Sequence, residues 1–223
     1  MAGLGRMGLA VSEAAQGSFD VLVEFATPAA TMKWLDLCLR TGKPIVIGTT
    51  GHNEDQLVRI RQAAESIPVL KAANMSLGVN VMLRVARQMA RTLDESYDVE
   101  ITEAHHRHKV DAPSGTALAL GEAVADGRRA AGNAPTFTHG RKGSTGPRPA
   151  GEIAIHSLRI GDTVGEHTVS FGGPGETLAI SHRAHSRDTF AAGALAAARW
   201  IIGRRAGLYD MQDVLFGTPE RTR

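Results

Sequence analysis

The sequence predicts an α/β protein in two parts: a Rossmann-like domain on a parallel sheet, reduced in size, and an α+β domain with a mixed sheet. Three observations carry that reading. Short Val/Ile/Leu-rich runs alternate with helix-patterned segments through the first third of the chain, as in DVLVEF, PIVIG and residues 67–70, and strands alternating with helices imply a parallel sheet. From residue 77 onward the pattern changes to one long amphipathic helix followed by longer β-rich segments divided by glycine turns. A small-residue helix, TFAAGALAAARWIIG, and the run GLYDMQDVLFG then close the chain, and both are expected to return to the first domain. The expected boundaries are residues 1–76 with 187–223 for the Rossmann-like domain, and 77–186 for the domain between.

The elements follow in order. Gly3, Gly5 and Gly8 stand in G-x-G-x-x-G spacing ahead of a helical segment, the pattern of a glycine turn into a helix. DVLVEF reads as a strand buried on both faces. The next helix has Thr27 as N-cap, Pro28 in its first position and Gly42 as its stop. Cys38, the single cysteine, lies on that helix's apolar stripe with Trp34 and Leu37 and reads as a small buried hydrophobe. PIVIGTTGHNEDQ repeats strand, glycine loop and helix. Met82, Leu83, Ala86, Met89, Ala90 and Leu93 recur at helical spacing. DVEITEAHHRHK is expected to be one strand carrying the histidines, with a helix from about Ser114 and a Gly/Pro-rich loop over 132–151. EIAIHSLRI, HTVSFGG and TLAISHRA are expected strands, with turns at Gly161-Asp162 and Gly173-Pro174-Gly175.

Composition narrows the function. A chain of 223 residues, 43% apolar, can bury a sizeable core. Its 25 basic and 23 acidic side chains nearly cancel and form no strong block, which argues against nucleic acid or a membrane surface as the main partner. No apolar run is long enough to cross a bilayer, and the N-terminus lacks the charged-then-apolar order of a secretion signal. A cytoplasmic protein is expected.

The densest chemistry lies in EAHHRHKVDAPSGT, from Glu103 to Thr116. His105, His106, Arg107, His108 and Lys109 stand next to a Ser-Gly-Thr helix start. Side chains supply charge there and helix N–H groups supply aimed donors, so the site suits a carboxylate or phosphate. A histidine titrates near neutral pH and a lysine beside other cations has its proton loosened, so the two can exchange protons with a reacting centre. An exposed basic strand would explain the charges but not Pro113-Ser114-Gly115-Thr116. A metal site from His105, His106 and His108 is disfavoured, because on an extended strand His106 and His108 share a face that His105 does not. His156, His167, His182 and His185 read as surface or cross-strand residues, and Glu166 as structural or site-lining. In the first domain, Gly48, Thr49 and Thr50 lie at the carboxyl end of a parallel strand, where such sheets hold ligands. Asn74 could bind a carboxamide or cap a helix. The glycine turn leaves a ligand and a plain turn both open, since only two residues precede Gly3 and neither Asp20 nor Glu24 sits at a strand end suited to a ribose.

With these residues in place, the sequence resembles the dihydrodipicolinate reductase family. EAHHRHKVDAPSGTA carries the resemblance most specifically. GRMG, DVLVEFATP, PIVIGTTG, AANMSLGVNVM, GDTVGEHTV, SRDTFAAGAL and GLYDMQDVL extend it over nearly the whole chain in the family's order. The resemblance implies hydride transfer from NADPH or NADH to a small cyclic dicarboxylate, 4-hydroxy-tetrahydrodipicolinate, with loss of its 4-hydroxyl as water, in lysine and diaminopimelate biosynthesis. It implies that His105 is a proton donor or acceptor and Lys109 a proton donor, and that His106, Gly115 and Thr116 hold the substrate carboxylates with Ser114 close by. Gly3, Gly5, Arg6, Met7, Gly48, Thr49, Thr50, Ala72, Ala73, Asn74 and Met75 match its cofactor segments. No metal is implied, and the family is typically homotetrameric. One departure stands out. Between the glycine turn and DVLVEF the family places a second strand with its ribose-binding residue, whereas residues 10–19 alone make that connection here, and a complete βαβ unit needs about 30 residues. A nucleotide domain weakened at its adenosine end is therefore expected. It leaves a second reading, a reductase-like protein without redox activity that binds a small dicarboxylate or serves as an assembly or regulatory partner.

Overall fold

The computed structural model describes residues 19–217. The glycine turn with Gly3, Gly5, Arg6 and Met7, and the connector ahead of residue 19, lie outside the described residues. In chain order the elements begin with β1 (Leu22–Glu24), α1 (Pro28–Thr41), β2 (Ile45–Ile47), α2 (Glu54–Ala63) and β3 (Pro68–Lys71). They continue with α3 (Leu77–Thr92), β4 (Asp98–His105), α4 (Gly115–Ala130), β5 (Thr136–Thr138), β6 (Glu152–Arg159), β7 (Gly165–Gly173) and β8 (Glu176–Ala184). The chain closes with α5 (Asp188–Ile201), β9 (Gly207–Tyr209) and α6 (Met211–Phe216). Two compact units result, residues 19–77 with 188–217, and Gly78–Arg187.

In the first unit four parallel strands stand in the order β1-β2-β3-β9. The reason β2 reads as an unbroken apolar run is visible in its packing. Ile45 and Ile47 join Trp34, Leu35 and Cys38 of α1 and Ile60 of α2 in one cluster, while Val46 joins Ala194, Ala197 and Ile201 of α5 in another. Both faces are covered, and each fully buried aliphatic side chain contributes about 1.5–3 kcal/mol. Helix α1 starts where its residues require: the Thr27 hydroxyl accepts from the Ala30 N–H, and Gly42 ends it at φ 64°. Such a left-handed stop suits a residue without Cβ. GLYDMQDVLFG does return to this sheet, as β9 beside β3 and as α6, which is capped by Asp210.

The second unit has a five-stranded mixed sheet, β5-β6-β4-β7-β8. β4 runs parallel to β6 and antiparallel to β7. Met82, Ala86 and Ala90 of α3 and Leu120 and Val124 of α4 pack on one sheet face against Ile101, Ile155, Val169 and Phe171. The two helices cross so tightly that a Cβ on Gly127 would come within 2.3 Å of the Arg87 carbonyl oxygen and 2.8 Å of the Ala90 Cβ. Arg128, 4% exposed, satisfies the turn after α3 by donating to the carbonyls of Leu93, Asp94 and Tyr97. A buried guanidinium is tolerated because its donors are met.

Two expectations for this unit change. β4 ends at His105, so the histidines do not share one strand: Arg107 N–H donates to Gly161 O, and Lys109 N–H closes a turn on His106 O. The Gly/Pro-rich loop also contains β5, and its arginines bind it to the sheet. Arg148 reaches Asp98 at 2.7 Å and the Val99 carbonyl at 3.0 Å, and Arg141 reaches Glu100 at 2.9 Å.

Register then places the site. Ile155, Ile101, Val169 and Ile180 form a cross-strand row in the core. Two residues further along, the same face carries Ser157, Glu103, His167 and His182. Side chains alternate along a strand, so this polar row stands directly above the aliphatic one.

Candidate active site

Glu103 is the centre of the polar row, its side chain fully buried. Its carboxylate receives Arg159 in a two-pronged pair, Nη1 to Oε2 and Nη2 to Oε1 at 2.9 Å each. His105 Nδ1 lies 2.6 Å from Oε2, and the Ser114 N–H donates to Oε1 at 3.2 Å. Burial acts to raise the Glu103 pKa, but the hydrogen bonds from Arg159, His105, Ser157 and the Ser114 backbone outweigh it and bring it down to about 2. A carboxylate ionised at neutral pH only accepts, so His105 donates from Nδ1. His105 Nε2 then points toward Gly165, where an added Cβ would stand 3.1 Å from it.

Ser114 caps α4, its Oγ accepting from the Ala117 N–H at 3.2 Å. The same oxygen shares a hydrogen bond with His167 Nε2 at 3.1 Å. His167 is 4% exposed and stacks edge-on against His105 with ring centroids 5.2 Å apart. Burial first, then the neighbouring His105, His182 and Lys109, lower its pKa to about 4, against the opposing pull of Glu103. His167 is therefore neutral near pH 7. Gly115 is exposed with open space around it, and Thr116 follows in the first turn of α4, where helix N–H groups lack partners within the helix.

Lys109 is partly buried, and its Nζ meets both oxygens of Asp111, at 2.7 and 2.8 Å. The expectation of a lysine among cations is corrected here, because its direct partner is a carboxylate. That ammonium, by hydrogen bonding, holds Asp111 below the usual carboxylate range. His106, Arg107 and His108 line an open cavity of about 750 Å³ with Gly161, Asp162 and Arg187. Among the described residues, no group of three His, Cys, Asp or Glu side chains is arranged to hold a metal ion.

In the first unit the sequence-expected cofactor segments lie at or just beyond the carboxyl ends of β2 and β3. Thr49 turns inward: its hydroxyl donates to the buried Glu24 at 2.7 Å and accepts from the Ala26 N–H at 2.8 Å. Gly48 is overlain by the half-exposed ring of Phe25, 2.1 Å from where a Cβ would be. Thr50 and Ala73 are exposed, whereas Met75 is buried against α5, where Gly193 accommodates its backbone. Asn74 accepts from the Ser76 N–H at 2.8 Å, just ahead of α3.

Five residues of these arrangements had no role assigned from the sequence: Glu24, Glu103, Arg159, His167 and Arg187. His167, expected as a surface or cross-strand residue, is a buried cross-strand one, and no pattern in HTVSFGG showed that Ser114 would meet it. Glu103 stood at the head of the motif without a role.

Family models described as "Dihydrodipicolinate reductase, N-terminus" and "Dihydrodipicolinate reductase, C-terminus" match residues 1–75 and 78–215. A 4-hydroxy-tetrahydrodipicolinate reductase of Alkalilimnicola ehrlichii is 54% identical over 220 residues, covering 96% of this chain and 81% of that protein. One of Thiobacillus denitrificans is 51% identical, covering 93% and 79%. The dipicolinate-bound dihydrodipicolinate reductase from Paenisporosarcina sp. TG-14 superposes with a TM-score of 0.72 at 29% identity, covering 94% of this chain and 77% of that one.

Proposed function

The chain belongs to the dihydrodipicolinate reductase family, and from that premise we propose that it reduces 4-hydroxy-tetrahydrodipicolinate with NADPH or NADH, using His105 and Lys109 to manage protons. It is an oxidoreductase of lysine and diaminopimelate biosynthesis. The observation that carries the residue assignment is the juxtaposition in one unit of a carboxylate-oriented histidine, an ammonium and a helix N-terminus.

The first unit fits a nicotinamide cofactor. Phe25 offers an aromatic surface, and Thr50 and Ala73 offer exposed loop positions, at the edge where parallel sheets hold nucleotides. Glu24 braces that edge by fixing Thr49 and the Ala26 backbone. When bound, the reduced nicotinamide supplies the hydride.

The chain's own residues do the rest. The substrate's two carboxylates suit the first turn of α4 at Gly115 and Thr116 and the rim of Arg107 and Arg187 with His106 and His108. Ser114 contributes by capping α4 and donating its N–H to Glu103 rather than by an outward hydroxyl. Reduction consumes one hydride and one proton, and the 4-hydroxyl leaves as water. His105 exchanges its proton at Nε2, since Nδ1 is engaged, and Lys109 donates from Nζ once the substrate competes with Asp111 for it. The dicarboxylate ligand of the Paenisporosarcina relative supports this substrate class.

Two wider readings accompany the reaction. The sheet face opposite α3 and α4 displays Thr102, Thr168 and Ser181 in a row with no element of the unit over them, and such an uncovered face supports assembly into a homotetramer. Among the described residues no helix is long and apolar enough to cross a membrane, and the cytoplasm is the location we assign to a nicotinamide-dependent biosynthetic step.

The test of the residue assignment is Lys109→Ala. General acid catalysis is worth about 10²–10⁴-fold, so kcat is expected to fall by at least about 100-fold while the dissociation constants of NADPH and NADH stay within about twofold. Equal losses in turnover and cofactor affinity would remove Lys109 from the chemistry.

A further inference from the structure

His105 can exchange a proton through either ring nitrogen, and which one serves depends on what the other is bound to. In this chain that choice is built from four elements. The carboxylate of Glu103, buried two residues before His105 on β4, takes Nδ1 at 2.6 Å. Arg159, directly opposite His105 on β6, fixes both oxygens of that carboxylate at 2.9 Å. The N–H of Ser114, at the start of α4, adds a third donor at 3.2 Å. On the remaining side Gly165 of β7 leaves open the space beside Nε2 that a larger residue would crowd, a Cβ there lying 3.1 Å from the nitrogen.

Arg159 does more than clamp. Its Nη2 also donates to the Asp111 carbonyl at 2.6 Å, and the Asp111 side chain holds Lys109. One guanidinium therefore ties the carboxylate that orients His105 to the loop that carries Lys109, setting the two proton-exchanging groups in register.

We propose that Glu103, clamped by Arg159, is the positioning residue of the reaction: it holds His105 as the Nδ1–H tautomer so that Nε2 alone exchanges the proton. Glu103 neither donates nor accepts a proton in the cycle. Its carboxylate stays ionised throughout, stabilises the imidazolium when His105 is charged, and returns the ring to the same tautomer when it is neutral. The proposal rests on the reductase reading for its kinetic consequence but not for its structural one.

The groups that face His105 are Glu103 on its own strand, Arg159 on β6, and Gly165 and His167 on β7. Among them only Glu103 is an anion, so its neutral isostere has a defined effect. In Glu103→Gln the carboxylate that faces His105 Nδ1 becomes a neutral amide, and the kcat–pH profile is expected to change. kcat is expected to drop about 100-fold, while KM for the cofactor stays within about twofold. Glu103→Asp, which keeps the charge but shortens the reach, should recover part of kcat.

Heteronuclear NMR of the wild-type protein with labelled histidine reads the tautomer without any turnover. A protonated Nδ1 and bare Nε2 in the neutral ring of His105 is the expected result; a protonated Nε2 overturns the proposal whether or not the variants fold. An unchanged pH profile and kcat in a folded Glu103→Gln variant would overturn it too. If the wild type turned over no substrate yet showed the Nδ1–H tautomer, the reductase reading would fail and the positioning role of Glu103 would stand.

Discussion

His167 couples stability to pH through a single ring. In the folded chain its pKa is lowered from 6.5 to about 4, chiefly by burial, whereas in the unfolded chain it titrates near its ordinary value. Between those two values the unfolded state binds the extra proton, so the stabilisation is whole above about pH 6.5 and is lost as pH falls toward 4. The full effect is on the order of 3 kcal/mol. Glu103, lowered from 4.5 to about 2, adds a further loss as pH falls from about 4.5 toward 2. Denaturant unfolding at a series of pH values should thus lose stability between pH 6.5 and 4 in the wild type, and His167→Gln should flatten that interval. A variant curve parallel to the wild type would assign the loss to other groups. His105, Lys109 and the Ser-Gly-Thr helix start were legible in the sequence because they are contiguous. Arg159 and His167 were not, because 56 and 64 residues separate them from Glu103 and a one-dimensional pattern carries no cross-strand register.

At the scale of elements, what the sequence announced was periodicity and punctuation. The helix over residues 28–41 was legible from Thr27, Pro28 and Gly42, and each does the work its chemistry suggests. The strand DVEITEAHHRHK was legible only in its first part, since nothing in the run of His, Arg and Lys signals the turn that begins after His105. β5 was hidden for a related reason, since a three-residue edge strand in a Gly/Pro-rich segment has too few positions to show a period. Helix packing supplies the expectation at this scale. Gly127→Ala places a methyl against the Arg87 carbonyl, which is backbone and cannot rotate away. Alanine's better helix propensity, worth about 1 kcal/mol, opposes an overpacking cost of about 1–3 kcal/mol. A lower urea midpoint for the variant is expected; an unchanged or higher one would mean that α3 and α4 separate freely.

Over the whole molecule, the division into a parallel-sheet unit and a mixed-sheet unit followed from the change of texture near residue 77. The return of the C-terminal segment followed from its short apolar run after a small-residue helix. The uncovered face of the mixed sheet sets one expectation here: light scattering should report a mass of four chains, and a monomer at working concentration would contradict the assembly reading. On the proposed assignment the nicotinamide belongs to the first unit and the dicarboxylate to the second, so turnover would require both. The connection of residues 10–19 is short for a full nucleotide-binding unit, and a weaker hold on the cofactor is the expectation that it carries. The direct measurement is oxidation of NADPH and of NADH by the purified chain, supplied with enzymatically generated 4-hydroxy-tetrahydrodipicolinate and followed through to the reduced product. The account predicts substrate-dependent oxidation with one cofactor consumed per product formed. Failure of both cofactors to bind or to be oxidised, with the dicarboxylate still bound, would contradict it.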